Sequence, residues 1–352
     1  MAKIAVLMSG GVDSSCAALL LKRAGHEVMG LTAIMWREAS RCCGEEDIYR
    51  AARVCHKLGI RHHVIDMADE FERCVVKDFA SSYAAGLTPN PCSVCNRRIK
   101  FGAMVEAARR FGFDKIASGH YSALKRMGDS WVPAEPADSA KSQTYFLAMV
   151  KREVLEAVEF PLAGLLKSEA REAVSSAGLP VRDGESQDLC FAVPKRYQEI
   201  VKRYAAVPGA GYIVDALGNK IGRHRGHVAY TVGQRLGVRG KRLYVVEKRA
   251  AANEVVVGER QDAMARSIAA SDVNFFLDAV PDPGTRLMVK YRYNSPAVPA
   301  RLVERTSDRI SVALESPAFA PAPGQVLACY ENGCLLCGGV IEKPLAMRVT
   351  KG

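Results

Sequence analysis

An alternation of short apolar runs with amphipathic helical segments constrains the fold of this chain most, and it continues from Lys3 to about Tyr204. Strands that alternate with helices form parallel sheets with both faces covered, so the pattern predicts an α/β fold of the doubly wound class. The predicted strands are Lys3–Met8, Glu27–Met35, His62–Met67 and Lys115–Ser122. The predicted helices are Ser14–Ala24, Glu45–Leu58, Asp69–Ala84, Asn96–Phe111, Lys151–Glu159, Lys167–Ala177 and Pro194–Tyr204.

The pattern changes after Pro208-Gly209, where helical periodicity gives way to short β-rich runs broken by glycine, proline and asparagine. Short strands at regular spacing predict small barrels or sandwiches. We therefore predict three units, which are residues 1–207, 208–270 and 271–352.

Composition excludes several classes of protein. Of the 352 residues, 49% are hydrophobic and 25% are charged, which excludes bulk disorder. No apolar run approaches the roughly 20 residues of a membrane span, and the first residues do not resemble a signal peptide. We expect a cytoplasmic protein with no membrane partner. Its 11 cysteines are then thiols, metal ligands or catalysts rather than structural disulfides.

Positive charge is concentrated in one stretch of the β-rich half. Lys and Arg number 49 against 38 Asp and Glu, a net charge of +11. Within the segment Lys220–Arg249, called the basic segment below, the only acid is Glu247. Its basic residues are Lys220, Arg223, Arg225, Arg235, Arg239, Lys241, Arg242, Lys248 and Arg249. This concentration predicts a nucleic-acid partner, with a solvated basic surface as the alternative. His224 and His227, among the arginines, fit RNA contact or solvent exposure.

A glycine-rich loop, Ser9-Gly10-Gly11-Val12-Asp13-Ser14-Ser15, lies between the first strand and the first helix. Its glycines allow close backbone approach, and the following helix offers free N–H groups and the positive end of its dipole. The loop lacks the G-K-[ST] of a Walker A motif and the G-x-G-x-x-G of dinucleotide enzymes. It predicts a phosphate or pyrophosphate site, and the alternative is an ordinary turn.

Two segments carry candidate catalytic cysteines. Cys92-Ser93-Val94-Cys95 follows the rigid turn Thr88–Pro91, and we expect Cys95 at a helix start beside Arg97, Arg98 and Lys100. That setting predicts a lowered thiol pKa and a nucleophile or metal ligand. Cys190 lies in a second loop-to-helix segment, Glu185–Phe191.

The loop resembles that of the PP-loop ATP pyrophosphatase superfamily, and the chain as a whole resembles the tRNA-specific 2-thiouridylase family. Further matching stretches are Cys42-Cys43-x-x-x-Asp47, Ser118–Tyr121, Lys141–Leu147, Tyr230–Arg235, Arg292-Tyr293 and Pro323–Gln325. The resemblance implies a PP-loop domain, a small linker domain and a C-terminal β-barrel. It also implies thiolation of the wobble uridine (position 34) of tRNA at its position 2, with ATP cleaved to AMP and pyrophosphate. The partners implied are tRNA and a sulfur donor protein or sulfide, and we expect a monomer.

The family pattern also implies residue roles. ATP would contact Leu7, Met8, Ser9, Gly10, Gly11, Val12, Asp13 and Ser14, with Ala33 and Gly119 beside the adenine and ribose. Asp13 would help to place Mg²⁺. Cys190 would carry a persulfide, and Cys95 would be the second catalytic cysteine. The target base would face Asn90, Pro91 and Cys92. The remaining tRNA contacts would be His120, Lys141, Ser142, Gln143, Arg292, Tyr293 and Gln325.

One departure from the family concerns Cys92, which stands where the family usually has aspartate. With Cys95 and Cys190 it supplies three thiolates, enough for a [4Fe–4S] cluster with one open iron. The alternatives are persulfide chemistry without a cluster, Zn²⁺ on the same thiolates, and a bystander role for Cys92. Cys42 and Cys43 have no assigned role. Cys334-x-x-Cys337 has metal-like spacing, but the adjacent glycines predict a tight barrel turn.

Two other functions are compatible with parts of the sequence. A different PP-loop ligase that adenylates a small molecule would explain the loop but not the cysteines or the basic segment. A non-catalytic RNA-binding protein would explain the charge but not the intact loop.

Overall fold

The computed structural model describes residues 1–37, 44–182, 189–192, 196–238, 240–278 and 281–343. Within these residues the strands form three sheets. None of the helices in these ranges has the length and apolar character needed to cross a bilayer.

The first part of the chain contains strands and helices in alternation. Its strands are β1 Lys3–Leu7, β2 Glu27–Ile34, β3 Arg61–Asp66, β4 Lys115–Ala117, β5 Ala123–Met127, β6 Ser130–Ala134 and β7 Val158–Glu159. Its α-helices are α1 Val12–Arg23, α2 Glu45–Leu58, α3 Ala68–Phe71, α4 Lys77–Ala84, α5 Pro91–Cys95, α6 Met104–Arg110, α7 Lys167–Ser176 and α8 Tyr197–Tyr204. Glu72–Val76 and Asn96–Ala103 are π-helical, and Ser139–Lys141, Thr144–Leu147 and Arg152–Ala157 are 3₁₀-helical.

Five strands form a parallel sheet in the order β3-β2-β1-β4-β7. Alternate residues of its central strands enter two different cores. Ala5 and Met29 pack with the helices of one face, which include Phe71, whereas Ile4 and Val28 pack with the other face. The sheet is thus covered on both sides, and the predicted doubly wound α/β fold is confirmed.

The middle part forms a separate five-stranded sheet in the order β10-β11-β12-β8-β9. Its strands are β8 Gly211–Val214, β9 Lys220–His224, β10 Arg235–Val238, β11 Lys241–Arg249 and β12 Glu254–Gly258. His224 and His227 are 2% and 0% exposed, so the expectation that they face RNA or solvent is wrong. Both rings bond to backbone carbonyls, His224 to Asn253 and His227 to Ala84.

The last part forms a six-stranded barrel, because β13 pairs with both β16 and β18 and closes the sheet. This confirms the predicted C-terminal β-barrel. Its strands are β13 Met264–Phe275, β14 Arg286–Lys290, β15 Val298–Arg305, β16 Arg309–Phe319, β17 Val326–Glu331 and β18 Cys334–Ile341. Asn332 and Gly333, at φ 49° and 76°, make the tight turn expected before Cys334.

Several local predictions differ from the structure. The predicted helix Lys151–Glu159 is a 3₁₀ segment followed by the edge strand β7. The hairpin β5–β6 was not predicted, and it extends the barrel sheet through a pairing of Ala134 with Cys334. Strand β13 runs across residue 270, where we placed the boundary between the second and third units.

Candidate active site

The glycine-rich loop lies at the carboxyl edge of the parallel sheet, between β1 and α1. Strand order reverses between β1 and β4, and such switch points are where α/β sheets bind ligands. Ser9 N–H donates to Ser14 Oγ at 3.2 Å, and Gly10 has φ 71°. A Cβ on Gly10 would lie 2.8 Å from the Asp47 carbonyl oxygen, so this position requires glycine.

Gly119 follows β4 and lies directly against this loop. A Cβ there would be 2.6 Å from both the Asp13 carbonyl carbon and the Ser14 nitrogen. The structure therefore brings together the predicted phosphate-binding loop and Gly119. Met8 and Ala33, the other predicted nucleotide contacts in this part of the sheet, are buried, and Thr32 Oγ1 donates to the Met8 carbonyl at 2.9 Å.

Charged side chains surround the loop, and sequence reasoning missed most of them. Lys167 Nζ at the start of α7 donates to Asp13 Oδ1 at 2.5 Å. Asp47, of the motif that begins at Cys42, is 6% exposed and accepts a hydrogen bond from Arg50 Nη2 at 2.9 Å. Arg182 Nη1 lies 3.7 Å from Asp47 Oδ1, and the Arg182 backbone N–H donates to the Gly10 carbonyl at 3.2 Å. No local motif identifies Lys167 as a site residue. Asp47 belongs to a stretch that matches the family, but the sequence assigned it no role.

Cys95 is not at a helix start, which corrects the expected pKa. Helix α5 begins at Pro91, and Asn90 Oδ1 accepts the Ser93 N–H at 3.1 Å as its cap. Cys95 lies one turn further and is 7% exposed, with Sγ 3.9 Å from Met35 Sδ. Burial raises the pKa of the Cys95 thiol to about 11, and the Lys100 ammonium offsets only part of the increase. The prediction of a lowered pKa is therefore wrong.

Cys92 is exposed and Cys190 is partly exposed. Beside Cys190, the Phe191 ring contacts Phe71 and Phe79 at centroid distances of 5.8 and 5.2 Å, so this segment packs on the helical stretch Ala68–Ala84. Helix α5 packs on the same stretch. The remainder of the predicted loop, residues 185–188, and Cys42 and Cys43 lie outside the described residues.

The three candidate thiols do not form a metal site in the structure. Among the described residues, which include Cys92, Cys95 and Cys190, no three His, Cys, Asp or Glu side chains are grouped so as to hold a metal ion. The donor set thus does not fit a cluster or Zn²⁺ in this arrangement, and the same holds for Cys334 and Cys337.

The predicted tRNA contacts near Gly119 pack around the turn that follows β4. Gln143 Oε1 accepts the Tyr121 N–H at 2.9 Å, which fixes the turn after β4. Ser142 is buried and Lys141 is partly exposed. His120 packs against Phe101 and Phe160, and burial lowers its pKa well below the usual value, so the ring is neutral at pH 7.

The predicted tRNA contacts in the barrel have partners within the chain. Arg292 Nη2 donates to the Ala320 carbonyl. The Tyr293 ring lies 4.4 Å from that of Phe146. Gln325 Nε2 donates to the Thr88 and Pro89 carbonyls at 3.0 and 3.2 Å, which ties the barrel to the turn before Cys92.

Most of the basic segment is exposed on the middle sheet. Lys220 and Arg223 lie over the Tyr212 ring, 3.9 and 5.3 Å from its centroid. The exposed basic residues are Lys220, Arg223, Arg225, Arg235, Lys241 and Arg242. Lys248 differs, because it is 2% exposed and its Nζ donates to the Leu87 carbonyl at 2.9 Å. Arg239 lies outside the described residues.

Three family models match successive parts of the chain. The tRNA methyl transferase HUP domain matches residues 2–194, and the tRNA methyl transferase PRC-barrel domain matches residues 198–259. The aminomethyltransferase beta-barrel domain matches residues 265–341.

Curated relatives match over nearly the full length. The tRNA-specific 2-thiouridylase MnmA 1 of Syntrophus aciditrophicus is 40% identical, covering 97% of this chain and 93% of its own. The tRNA-specific 2-thiouridylase MnmA of Persephonella marina is 40% identical, covering 96% and 99%. That of Trichormus variabilis is 38% identical, covering 97% and 99%.

Proposed function

Because the chain belongs to the tRNA-specific 2-thiouridylase family, we propose that it uses ATP to replace the 2-oxygen of the wobble uridine of tRNA with sulfur. The observation that carries this proposal is the contact of Gly119 with Asp13 and Ser14 at the switch point of the sheet. That contact places the Gly119 backbone directly against the start of α1, at the edge of the sheet where folds of this class bind nucleotides. The exposed basic segment supports a polyanionic substrate.

In the first step the uridine 2-oxygen attacks the α-phosphorus of ATP, which releases pyrophosphate and leaves an O-adenylated base. The backbone N–H groups at the start of α1 and the Lys167 ammonium stabilise the charge on the leaving group. Asp13 would be the protein ligand of Mg²⁺ on the phosphates, and the ion would supply Lewis-acid stabilisation of the pyrophosphate.

In the second step we assign sulfur delivery to a persulfide on Cys190, whose thiol is partly exposed. Its terminal sulfur attacks carbon 2 of the base and AMP leaves. A second thiol then attacks the Cys190 sulfur, which releases the thiocarbonyl and leaves a disulfide that an external dithiol reduces. Cys92 is exposed and Cys95 is buried as a protonated thiol, so Cys92 is the more accessible partner. Persulfide chemistry fits the structure better than a cluster, because Cys92, Cys95 and Cys190 are not grouped as metal ligands among the described residues.

Pyrophosphate release tests the proposal against its two alternatives. We expect release that depends on a tRNA with a wobble uridine and that persists in Cys190→Ala, since adenylation precedes sulfur transfer. A small-molecule ligase would release pyrophosphate without tRNA stimulation. A non-catalytic RNA-binding protein would release none. A tRNA with cytidine at the wobble position is the matched control.

A further inference from the structure

The segment Ala84–Asn90, which leads directly into the helix of Cys92 and Cys95, is held by both β domains. From the middle sheet, Lys248 Nζ donates to the Leu87 carbonyl at 2.9 Å, and the His227 ring bonds the Ala84 carbonyl at 3.0 Å. From the barrel, Gln325 Nε2 bonds the Thr88 and Pro89 carbonyls at 3.0 and 3.2 Å. We call this segment the anchored loop.

Close packing accompanies these hydrogen bonds. Thr88 N–H donates to the Pro323 carbonyl at 2.7 Å. A Cβ on Gly324 would lie 3.0 Å from the Thr88 nitrogen, and one on Gly86 would lie 2.9 Å from the Lys248 carbonyl oxygen. The anchored loop therefore has little room to move unless the two β domains move with it.

Lys248 is an unusual residue for such a position. It belongs to the basic segment by sequence, but its side chain is buried and its ammonium lies 4.9 Å from the centroid of the Tyr83 ring. A buried ammonium is costly unless carbonyl oxygens or aromatic faces stabilise it. Its two partners, the Leu87 carbonyl and the Tyr83 ring, belong to the first domain. The ammonium therefore binds the anchored loop and is not available to a phosphate.

We propose that Lys248 is a positioning residue for thiolation, which with Gln325 holds the anchored loop so that the following helix, which carries Cys92 and Cys95, faces the base delivered by the β domains. This inference rests on the proposed function. Adenylation needs the base in contact with the nucleotide, and sulfur transfer needs a thiol in contact with the base. Small displacements of these groups lower the rate strongly.

The test compares Lys248→Met with Lys241→Met, an exposed lysine of the same strand. Lys248→Met should lower kcat for thiolation roughly 10-fold or more while the Kd for tRNA changes less than about twofold. Lys241→Met should show the reverse, a raised Kd with kcat retained. A raised Kd with unchanged kcat in Lys248→Met would instead make Lys248 a tRNA contact and overturn the proposal.

Gln325→Ala, in kinetics and in cysteine alkylation, keeps the proposal testable if Lys248→Met is unstable, and the double variant adds a measurement where both single variants fold. Gln325→Ala should lower kcat as well, and the double variant should lose less than the product of the single effects, because both residues hold one loop. Independent, multiplicative losses would contradict a shared loop. Alkylation of Cys95 should be faster in either variant than in the wild type, and an unchanged rate would contradict the anchoring. If the wild type itself fails to thiolate tRNA, the proposed function fails, but the alkylation result still tests the loop.

Discussion

Lys167 Nζ lies 2.5 Å from Asp13 Oδ1, although the two residues are 154 positions apart in the chain. Lys167 begins α7 and is 9% exposed. The pair places an ammonium and a carboxylate together at the start of α1. The ammonium that we propose for phosphate oxygens therefore lies beside the carboxylate proposed for Mg²⁺.

Lys167→Met should raise the KM for ATP in pyrophosphate release by roughly 10-fold or more, because the variant cannot form a charge-assisted bond to phosphate. Lys57→Met is the matched control, since Lys57 Nζ bonds only a backbone carbonyl, that of Gly178, among its described partners. An unchanged KM in Lys167→Met would show that the ammonium does not reach the nucleotide.

Gly119→Ala should abolish tight ATP binding, because its methyl group would lie 2.6 Å from backbone atoms of Asp13 and Ser14. Relieving that overlap requires a shift of the backbone at the start of α1, which is energetically costly. Gly164→Ala in the same domain has no neighbour within 4 Å of the added Cβ and should bind ATP normally. Calorimetric titration with a non-hydrolysable ATP analogue measures both. Equal affinities would mean that the nucleotide does not bind against Gly119 and the start of α1.

Alkylation should distinguish Cys92 from Cys95. A pKa of about 11 leaves Cys95 roughly 100-fold less thiolate at pH 7 than its ordinary value of 9.0 would, because each unit is tenfold. Iodoacetamide followed by peptide mass spectrometry should therefore modify the exposed Cys92 first. The Cys95 rate should rise with pH up to about pH 11. A Cys95 rate that levels off near neutral pH would contradict the buried, protonated thiol.

Neutralising the exposed part of the basic segment should weaken tRNA binding and leave ATP binding intact. The triple variant of Arg223, Arg225 and Arg242 to glutamine removes three exposed charges. For each phosphate that the variant no longer neutralises, the slope of log K against log salt should become shallower by about 0.7 to 0.9. Equal reductions of tRNA and ATP affinity would show that these arginines support the fold instead.

The elements set by local pattern were predictable. The parallel sheet follows from the alternating strands and helices. The loop Ser9–Ser15 occupies the expected strand-to-helix turn, and its Gly10 has a positive φ and no room for a Cβ, as a glycine-rich turn predicts. The short, regularly spaced strands of the last part predict a barrel or a sandwich, and only the family resemblance implied the closed barrel that the structure has.

Features that depend on contacts between distant segments were not predictable. Nothing in the local sequence of Lys248, His224 and His227 separates them from their exposed arginine neighbours, since their burial comes from packing within and against the middle sheet. Helix α5 begins four residues before Cys95, because Pro91 is compatible with the first turn and Asn90 caps it. Cys95, one turn into the helix, packs against Met35 and is buried, so the sign of its pKa shift is opposite to the one predicted from its basic neighbours.

The most direct test is nucleoside analysis of tRNA after incubation with the protein, ATP, Mg²⁺ and a persulfide donor. The wild type should place 2-thiouridine at the wobble position, and Cys190→Ala should place none while it still releases pyrophosphate. Cys92→Ala should slow thiolation without abolishing it, because Cys95 remains. Sulfur incorporation by Cys190→Ala, or a uridine left unmodified by the wild type, would contradict the account.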